Sequence, residues 1–500
     1  MNAHALTMTL AAFSCGLLTL AAARAADKPN IVHIVADDLG WKDVGFNGAK
    51  DIRTPNLDAL ASGGAKFSQF YVQCMCTPTR AALMTGRYPL RYGLQTIVIP
   101  GPAGYGLDTS EYLMPQCLKD AGYKTAIIGK WHLGHADLKY WPKQRGFDYQ
   151  YGAMIGELDY YTHSDAGVLD WFRNNKPVKE KGYTTQLIGA DAVEYINEQD
   201  AKKPFYLYLT FNAPHTPYQA PQEYIDRYKD IQEPTRRIYA GMVTCLDDEI
   251  GKVVAALDGK GLRENTLILF HSDNGGTTNA MFAGQMTDLS KTKLPCDNGP
   301  YRDGKGTLFE GGNRVAACAN WPGKIKAQSV DGIIHAVDIY PTLAALAGAS
   351  TDKCKPLDGV NVWATIAEGK PSPRTEVIYN VEPFRGAVRQ GDWKLIWRTL
   401  IPTSVDLYNL AEDPYEKNNL AAAHPDKVAA MQERLNALGK ESAKPLALIY
   451  VASVGLAHGK PIIASEKGKP QTLIDESSPS ITDEGIGDND QPSPKTGGGR

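Results

Sequence analysis

The chain has 500 residues, 43% of them hydrophobic and 22% charged, with a formal net charge of −3. That length and balance fit one large α/β domain with an appendage, or two or more domains. They exclude a chain drawn to nucleic acid by bulk charge, so any pull on an anionic ligand must come from a local basic site.

Residues 6–23 are mostly apolar and lead into Ala23-Arg24-Ala25, the small-residue pattern of a signal-peptide cleavage site. A signal peptide over residues 1–25 is expected, and with it an exported protein, periplasmic or secreted. No later stretch reaches the roughly 20 apolar residues of a spanning helix, so no stable membrane span is expected. The eight cysteines include Cys15 inside the leader and Cys74 and Cys76 two positions apart. Exported cysteines can pair, but spacing does not set connectivity. Cys74 reads as a buried thiol, the alternative being a strained local bridge with Cys76.

Residues 30–36, Asn-Ile-Val-His-Ile-Val-Ala, form a short β-branched run, a buried strand of a largely parallel sheet. It stops at Asp37-Asp38-Leu39-Gly40. Ligands gather at the carboxyl ends of such strands, and two adjacent carboxylates there either face solvent or hold a cation. Thr54-Pro55 reads as a helix start and residues 67–72 as a strand. Cys76-Thr77-Pro78-Thr79-Arg80 then opens a helix, with Pro78 in its first turn and Gly86 past its end. Cys76 thus lies at a helix N-terminus, where free N–H groups favour negative charge. Residues 111–121 have helical spacing and 125–128 read as a strand. After that strand, Gly129-Lys130-Trp131-His132-Leu133-Gly134 places Lys130 and His132 on one side of an extended chain.

Arg145-Gly146-Phe147-Asp148 and Asp159-Tyr160-Tyr161-Thr162-His163 read either as substrate-side loops or as aromatics packed beneath a loop. Residues 205–211 are a strand that enters Asn212-Ala213-Pro214-His215-Thr216-Pro217, whose prolines fix His215 in a turn. A long amphipathic helix over 238–257 and a strand over 267–270 follow. That strand ends in Asp273-Asn274-Gly275, a turn signal whose side-chain oxygens also suit a hard divalent cation. Residues 302–312 are glycine-rich around Lys305 and let backbone approach a ligand closely. A strand over 314–321 and a helix over 335–347 come next. Past a linker-like stretch at 368–374, four short strands (376–379, 386–389, 393–397, 406–410) and an amphipathic helix (425–438) make a meander with a helix. The chain from about residue 465 is polar and rich in Pro and Gly, as a loose or disordered tail would be. The expected division is 1–25 signal, 26–370 catalytic domain, 371–464 C-terminal subdomain and 465–500 tail.

Cys76-x-Pro78-Thr79-Arg80, joined at fixed spacing to Thr85-Gly86-Arg87, resembles the signature of the sulfatase family, and the other motifs follow in the family's order from about Asn30 to Leu438. The resemblance implies an alkaline-phosphatase-like α/β fold, a mixed sheet sandwiched by helices, with a small C-terminal antiparallel sheet plus helix. It implies that a formylglycine-generating enzyme converts Cys76 to formylglycine. One hydroxyl of the hydrated aldehyde would attack sulfur and the other would expel sulfate. Asp37, Asp38, Asp273 and Asn274 would hold one Ca²⁺, with matured Cys76 as a further ligand, and Arg80 would lie near both. Lys130 and Lys305 would cradle the sulfuryl group, His215 would serve the leaving oxygen, and His132 would take the proton that frees sulfate. The implied reaction is calcium-dependent hydrolysis of a sulfate monoester, an aryl sulfate or a sulfated sugar. The regions of Cys76, Gly146 and Tyr160 look most like the arylsulfatase B (N-acetylgalactosamine 4-sulfatase) branch. Two alternatives stay open: a formylglycine-dependent hydrolase of phosphonate or phosphate esters, and an unmatured chain that binds sulfated glycans without cleaving them.

Overall fold

The run Asn30–Ala36 is a strand with all seven residues buried. Parallel neighbours flank it, Thr266–Ser272 on one side and Phe205–Thr210 on the other, and Lys124–Gly129 lies parallel beyond Phe205–Thr210. Burial on both faces is why these strands read as near-continuous apolar runs. The sheet extends to ten strands, and antiparallel Ala317–Asn320 lies beyond Thr266–Ser272. The computed structural model describes residues 28–278, 294–399 and 403–457. The expected signal peptide and the tail from 465 lie outside the described residues. Contacts divide the chain into Met1–Tyr450 and Val451–Arg500.

Alternation along the strands sends side chains to two cores. Ile31 and Val35 pack with Ala81, Leu83 and Met84 of the helix Cys76–Thr85 and with Ile339, Tyr340 and Leu343 of the helix Ala336–Ala347. Val32, Ile34 and Ala36 pack with Leu57 and Leu60, with Ile188 and Ile196, and with Val243, Leu246 and Ile250. Those residues come from the helices Pro55–Ser62, Thr184–Asn197 and Pro234–Gly259. The result is a mixed sheet between two helical layers, at about 1.5–3 kcal/mol for each large apolar side chain fully buried.

Four strands, Glu376–Glu382, Arg385–Gln390, Trp393–Arg398 and Ser404–Asn409, form a separate antiparallel sheet in chain order. The helix Pro425–Glu441 seats Met431, Leu435 and Leu438 against Val388, Leu395 and Leu407 of that sheet.

Two expectations shift. The strand expected over 67–72 is two strands, Ala65–Phe67 in the large sheet and Phe70–Tyr71 against Ile334–His335. Ser68 and Gln69 break it, because their side chains bond Asp331. The helix expected over 111–121 is Met114–Asp120, with Pro115 in its first turn.

Candidate active site

Strand register assembles the site. Val35 lies opposite Thr210, Thr210 opposite Gly129, and Ala36 opposite Ser272. One residue further along each of three chains are Asp37, Lys130 and Asp273. Backbone bonds hold that row: Lys130 N–H to Thr210 O at 2.8 Å, Asp273 N–H to Ala36 O at 3.0 Å, and Asp37 N–H to Ala213 O at 3.1 Å. The chain then bends away, with Asp38 and His132 at φ 61° and 58°. Positive φ is uncommon for residues other than glycine. The Lys130–His132 segment is therefore not extended as expected, yet both side chains stay at the site.

The helix Cys76–Thr85 delivers the cysteine. Cys76 is its first residue and Gly86 closes it at φ 65°, the left-handed conformation that glycine adopts freely. Thr79 Oγ1 accepts from Gln73 N–H and donates to Gln73 O, both at 3.0 Å, which fixes the entry to the helix. Thr77 Oγ1 donates to His132 O at 3.1 Å and accepts from Ile99 N–H at 3.1 Å. Cys76 Sγ lies 3.3 Å from Asp37 Oδ1. Arg80, one turn later on the same helix face, grips Asp273 Oδ2 through Nε (3.0 Å) and Nη2 (2.8 Å) and donates to Lys130 O and Thr210 Oγ1.

The carboxylates Asp37, Asp38 and Asp273 thus meet the cations Arg80, Lys130 and Lys305, and all six side chains are buried. Lys130 bonds Asp37. Lys305 donates to Asp38 Oδ2 at 2.7 Å and approaches His215 Nε2 at 3.1 Å. Asn274 donates to Asp38 Oδ1 at 2.7 Å, and its own Oδ1 is buried with no hydrogen-bond partner among the described residues. Single ligand atoms of Asp37, Asp38, Cys76 and His215 lie within 4.8 Å of one another. Two carboxylates of that group, with Asp273 Oδ1 against the Asp38 N–H and an orphaned amide oxygen on Asn274, are the kind of hard oxygen donors a divalent cation takes, so the residues present fit the ion that the resemblance implies.

Environment sets protonation here. Burial, then Asp273 and Asp37, push the Cys76 thiol well above its usual range. Burial would also raise Asp38, but Lys305 and His215 outweigh it and hold that carboxyl well below the ordinary range. Burial and Asp37 raise Asp273 to about 6 against the pull of Arg80. Burial and Lys305 lower His215 to about 4. Burial, Lys130 and Arg80 push His132 well down. Both shifts favour the neutral imidazole. His215 Nδ1 faces Thr216 O at 2.7 Å and so carries the hydrogen, which leaves Nε2 to accept from Lys305. His132 Nε2 lies 3.1 Å from Ile99 O, and Nδ1 has no partner among the described residues.

Cys76, His132, His215 and Lys305 open into a cavity of about 250 Å³ whose other lining includes Ile99, Pro100, Ile155, Glu157 and Asp165. Every residue expected at the site is therefore in this cluster or in bonding contact with it. The loop expectations divide. Arg145 is buried and donates to the carbonyls of Leu107, Asp108 and Glu111, and Phe147 packs in the core, so that segment is structural. Tyr160 is also buried, and its hydroxyl bonds the carbonyls of Asn212 and His215 at 2.8 Å, bracing the His215 turn from behind. Thr277, whose hydroxyl donates to Asp38 Oδ2 at 3.0 Å, was not foreseen, nor were Glu157 and Asp165. Cys74 is a free buried thiol, as expected.

The chain matches the model of the family described as Sulfatase over residues 29–349. It is 33% identical to mouse (Mus musculus) arylsulfatase J over 469 residues, 83% of this chain and 76% of that protein. It is 35% identical to mouse N-acetylgalactosamine-6-sulfatase over 399 residues, 75% of this chain and 73% of that protein. The crystal structure of Ps i-CgsB in complex with k-i-k-neocarrahexaose superposes with a TM-score of 0.76 at 34% identity, covering 84% of this chain and 94% of that one.

Proposed function

The chain belongs to the sulfatase family and is a sulfuric ester hydrolase, and from that premise we propose that it is exported and cleaves sulfate monoesters of sugars, using a formylglycine made from Cys76 and one Ca²⁺ held by Asp37, Asp38, Asp273 and Asn274. The observation that carries this reading is the position of Cys76. It lies at a helix N-terminus, 3.3 Å from Asp37, at the base of a cavity shared with Lys305, His132 and His215. A buried neutral thiol beside two carboxylates is a poor nucleophile, so the chemistry calls for a modified residue at this position. When present, the ion polarises sulfate oxygens and the hydrated aldehyde supplies paired hydroxyls.

The chain's own groups do the rest. Lys130 and Lys305 hold the anionic ester in place, and preorganised charge of this kind is usually the largest catalytic contribution. Arg80 fixes Asp273 and the Lys130 backbone, which keeps the row of strand-end side chains in register. His132, whose Nδ1 has no hydrogen-bond partner among the described residues and which lines the same cavity as Cys76, would take a proton from the residue-76 hydroxyl. His215 and Lys305 share a proton toward the leaving oxygen, and an anionic ester beside His215 favours its imidazolium form. A sugar as leaving group is supported by the saccharides in the names of a relative and a structural neighbour. No helix among the described residues is long and apolar enough to cross a membrane.

The test combines mass spectrometry of the Cys76 peptide with initial rates on an aryl sulfate, an aryl phosphate and sulfated saccharides. A peptide lighter than the cysteine form, with sulfate cleaved faster than phosphate, is expected. Preference for phosphate would make the chain a phosphoester hydrolase. An unconverted cysteine in a chain that still binds sulfated glycans would make it a lectin.

A further inference from the structure

The cavity that exposes Cys76 carries charge of both signs. Lys305 is its cationic group, while Glu157 and Asp165 are acidic. Glu157 follows the strand Tyr149–Gly152, on a loop that returns through the short strand Ser164–Asp165. Its Oε1 is buried and has no hydrogen-bond partner among the described residues. A carboxylate oxygen withdrawn from water and left unpaired is costly, so a ligand that donates to it gains the full bond. Glu157 lines the same cavity as His215, the residue proposed to serve the leaving oxygen. Glu157 and Asp165 also line an adjoining cleft of about 450 Å³, with Asp159, Ser164 and Gln219.

The same cavity also has an apolar share in its lining: Val98, Ile99, Pro100 and Ile155. Apolar surface beside a carboxylate that can only accept hydrogen bonds suits a ring with C–H faces and hydroxyl donors. A second sulfate or a carboxylate on that ring would meet Glu157 as a like charge in a confined site, and such juxtaposition is strongly disfavoured. We infer that Glu157, with Asp165 at the boundary of the adjoining cleft, selects the leaving group: a neutral sugar ring that carries the scissile sulfate and no second anionic substituent. The inference rests on the reading of this chain as a hydrolase of sulfated sugars.

The test uses the full chain carrying Cys76→Ala and two probes, a disaccharide with one sulfate and the same disaccharide with a second sulfate on the same ring. Calorimetry should show the monosulfated probe bound at least about tenfold more tightly. Adding Glu157→Gln, which preserves shape, should tighten the disulfated probe and weaken the monosulfated one, shrinking the ratio about tenfold. A merely structural role would weaken both alike. Equal affinities in the parent, or an unchanged ratio in Glu157→Gln, overturns the inference. Turnover of the monosulfated probe by the matured wild-type chain is measured in parallel. Discrimination in binding without any turnover would refute the hydrolase reading and leave the selection by Glu157 standing.

Discussion

Glu310, Lys394 and Glu416 form a second buried ion cluster, behind the loop that carries Lys305, and it uses its polar atoms differently from the cluster beneath the cavity. Lys394 Nζ lies 2.9 Å from Glu310 Oε1 and 2.9 Å from Glu416 Oε1. Tyr379 and Tyr71 donate to the two oxygens of Glu310 at 2.6 and 2.7 Å, and Glu416 Oε2 accepts from Glu310 N–H at 2.6 Å. The four-stranded sheet contributes Lys394 and Tyr379, so the cluster pins the glycine-rich loop to that sheet. Both oxygens of Glu310 are occupied by protein groups. In the other cluster, Asn274 Oδ1 and His132 Nδ1 have no hydrogen-bond partners among the described residues, and His132 lines the cavity. Burying ions brings little net stability in either place, because desolvation offsets the attraction. In the first cluster Glu416 Oε1 also lacks a hydrogen bond among the described residues, but it lies 2.9 Å from the Lys394 ammonium, so its pairing stays within the protein.

Substitutions can break this contrast from either side. Cys76→Ala should lower turnover of an aryl sulfate by about 10⁴-fold or more, as loss of a nucleophile does, while the urea unfolding midpoint hardly moves. Lys394→Met should do the reverse. It leaves Glu310 and Glu416 buried without their shared cation, which costs about 3–5 kcal/mol of stability, and activity should fall only with the folded fraction. If Cys76→Ala unfolded the chain as much as Lys394→Met does, the two clusters would not differ in kind.

The functional cluster was far more legible in the sequence than the structural one. Asp37-Asp38, Lys130, His215 and Asp273-Asn274 each follow a run of apolar strand residues, and in a parallel sheet the ends of such runs converge. Glu310 and Lys394 are 84 residues apart, and Glu310 and Glu416 are 106 apart. None of the three ends a strand in the large sheet, so local pattern could not join them. The Arg145 segment, open in the sequence between a substrate-side loop and packing beneath one, is structural: Arg145 serves as an internal clamp on three carbonyls. Glu157 carries no such pattern, because its place at the cavity depends on how a loop folds, which neither spacing nor periodicity encodes.

Lys305 tests the boundary, since the structural cluster holds its loop and its ammonium donates to Asp38 in the cluster beneath the cavity. Lys305→Ala should lower kcat/KM by about 10²–10³-fold, the usual cost of removing one preorganised charge from a transition state, with the unfolding midpoint close to wild type. A large loss of stability would mean that Lys305 belongs to the scaffold as much as to the site.

The smallest effect sharpens the contrast through pH. Burial and the neighbouring Glu310 raise Glu416 to about 7 from an ordinary value of 4.5, against the pull of Lys394. Glu310 goes the other way: Lys394, Arg314 and Arg389 outweigh burial and lower it to about 2. Between about pH 4.5 and 7 the folded chain therefore keeps a proton on Glu416 that the unfolded chain releases, and stability falls as pH rises through that window. The stabilisation from Glu310 is complete above pH 4.5 and is lost only as pH falls toward 2, so it adds no slope there. Glu416→Gln removes the slope of that one group. The stability difference between wild type and Glu416→Gln, from urea unfolding at pH 5 and pH 7.5, should change by about 2 kcal/mol in favour of the variant at the higher pH. A difference that stays constant across the window would mean that both carboxylates are ionised around the one lysine, as charged in its resting state as the cluster beneath the cavity.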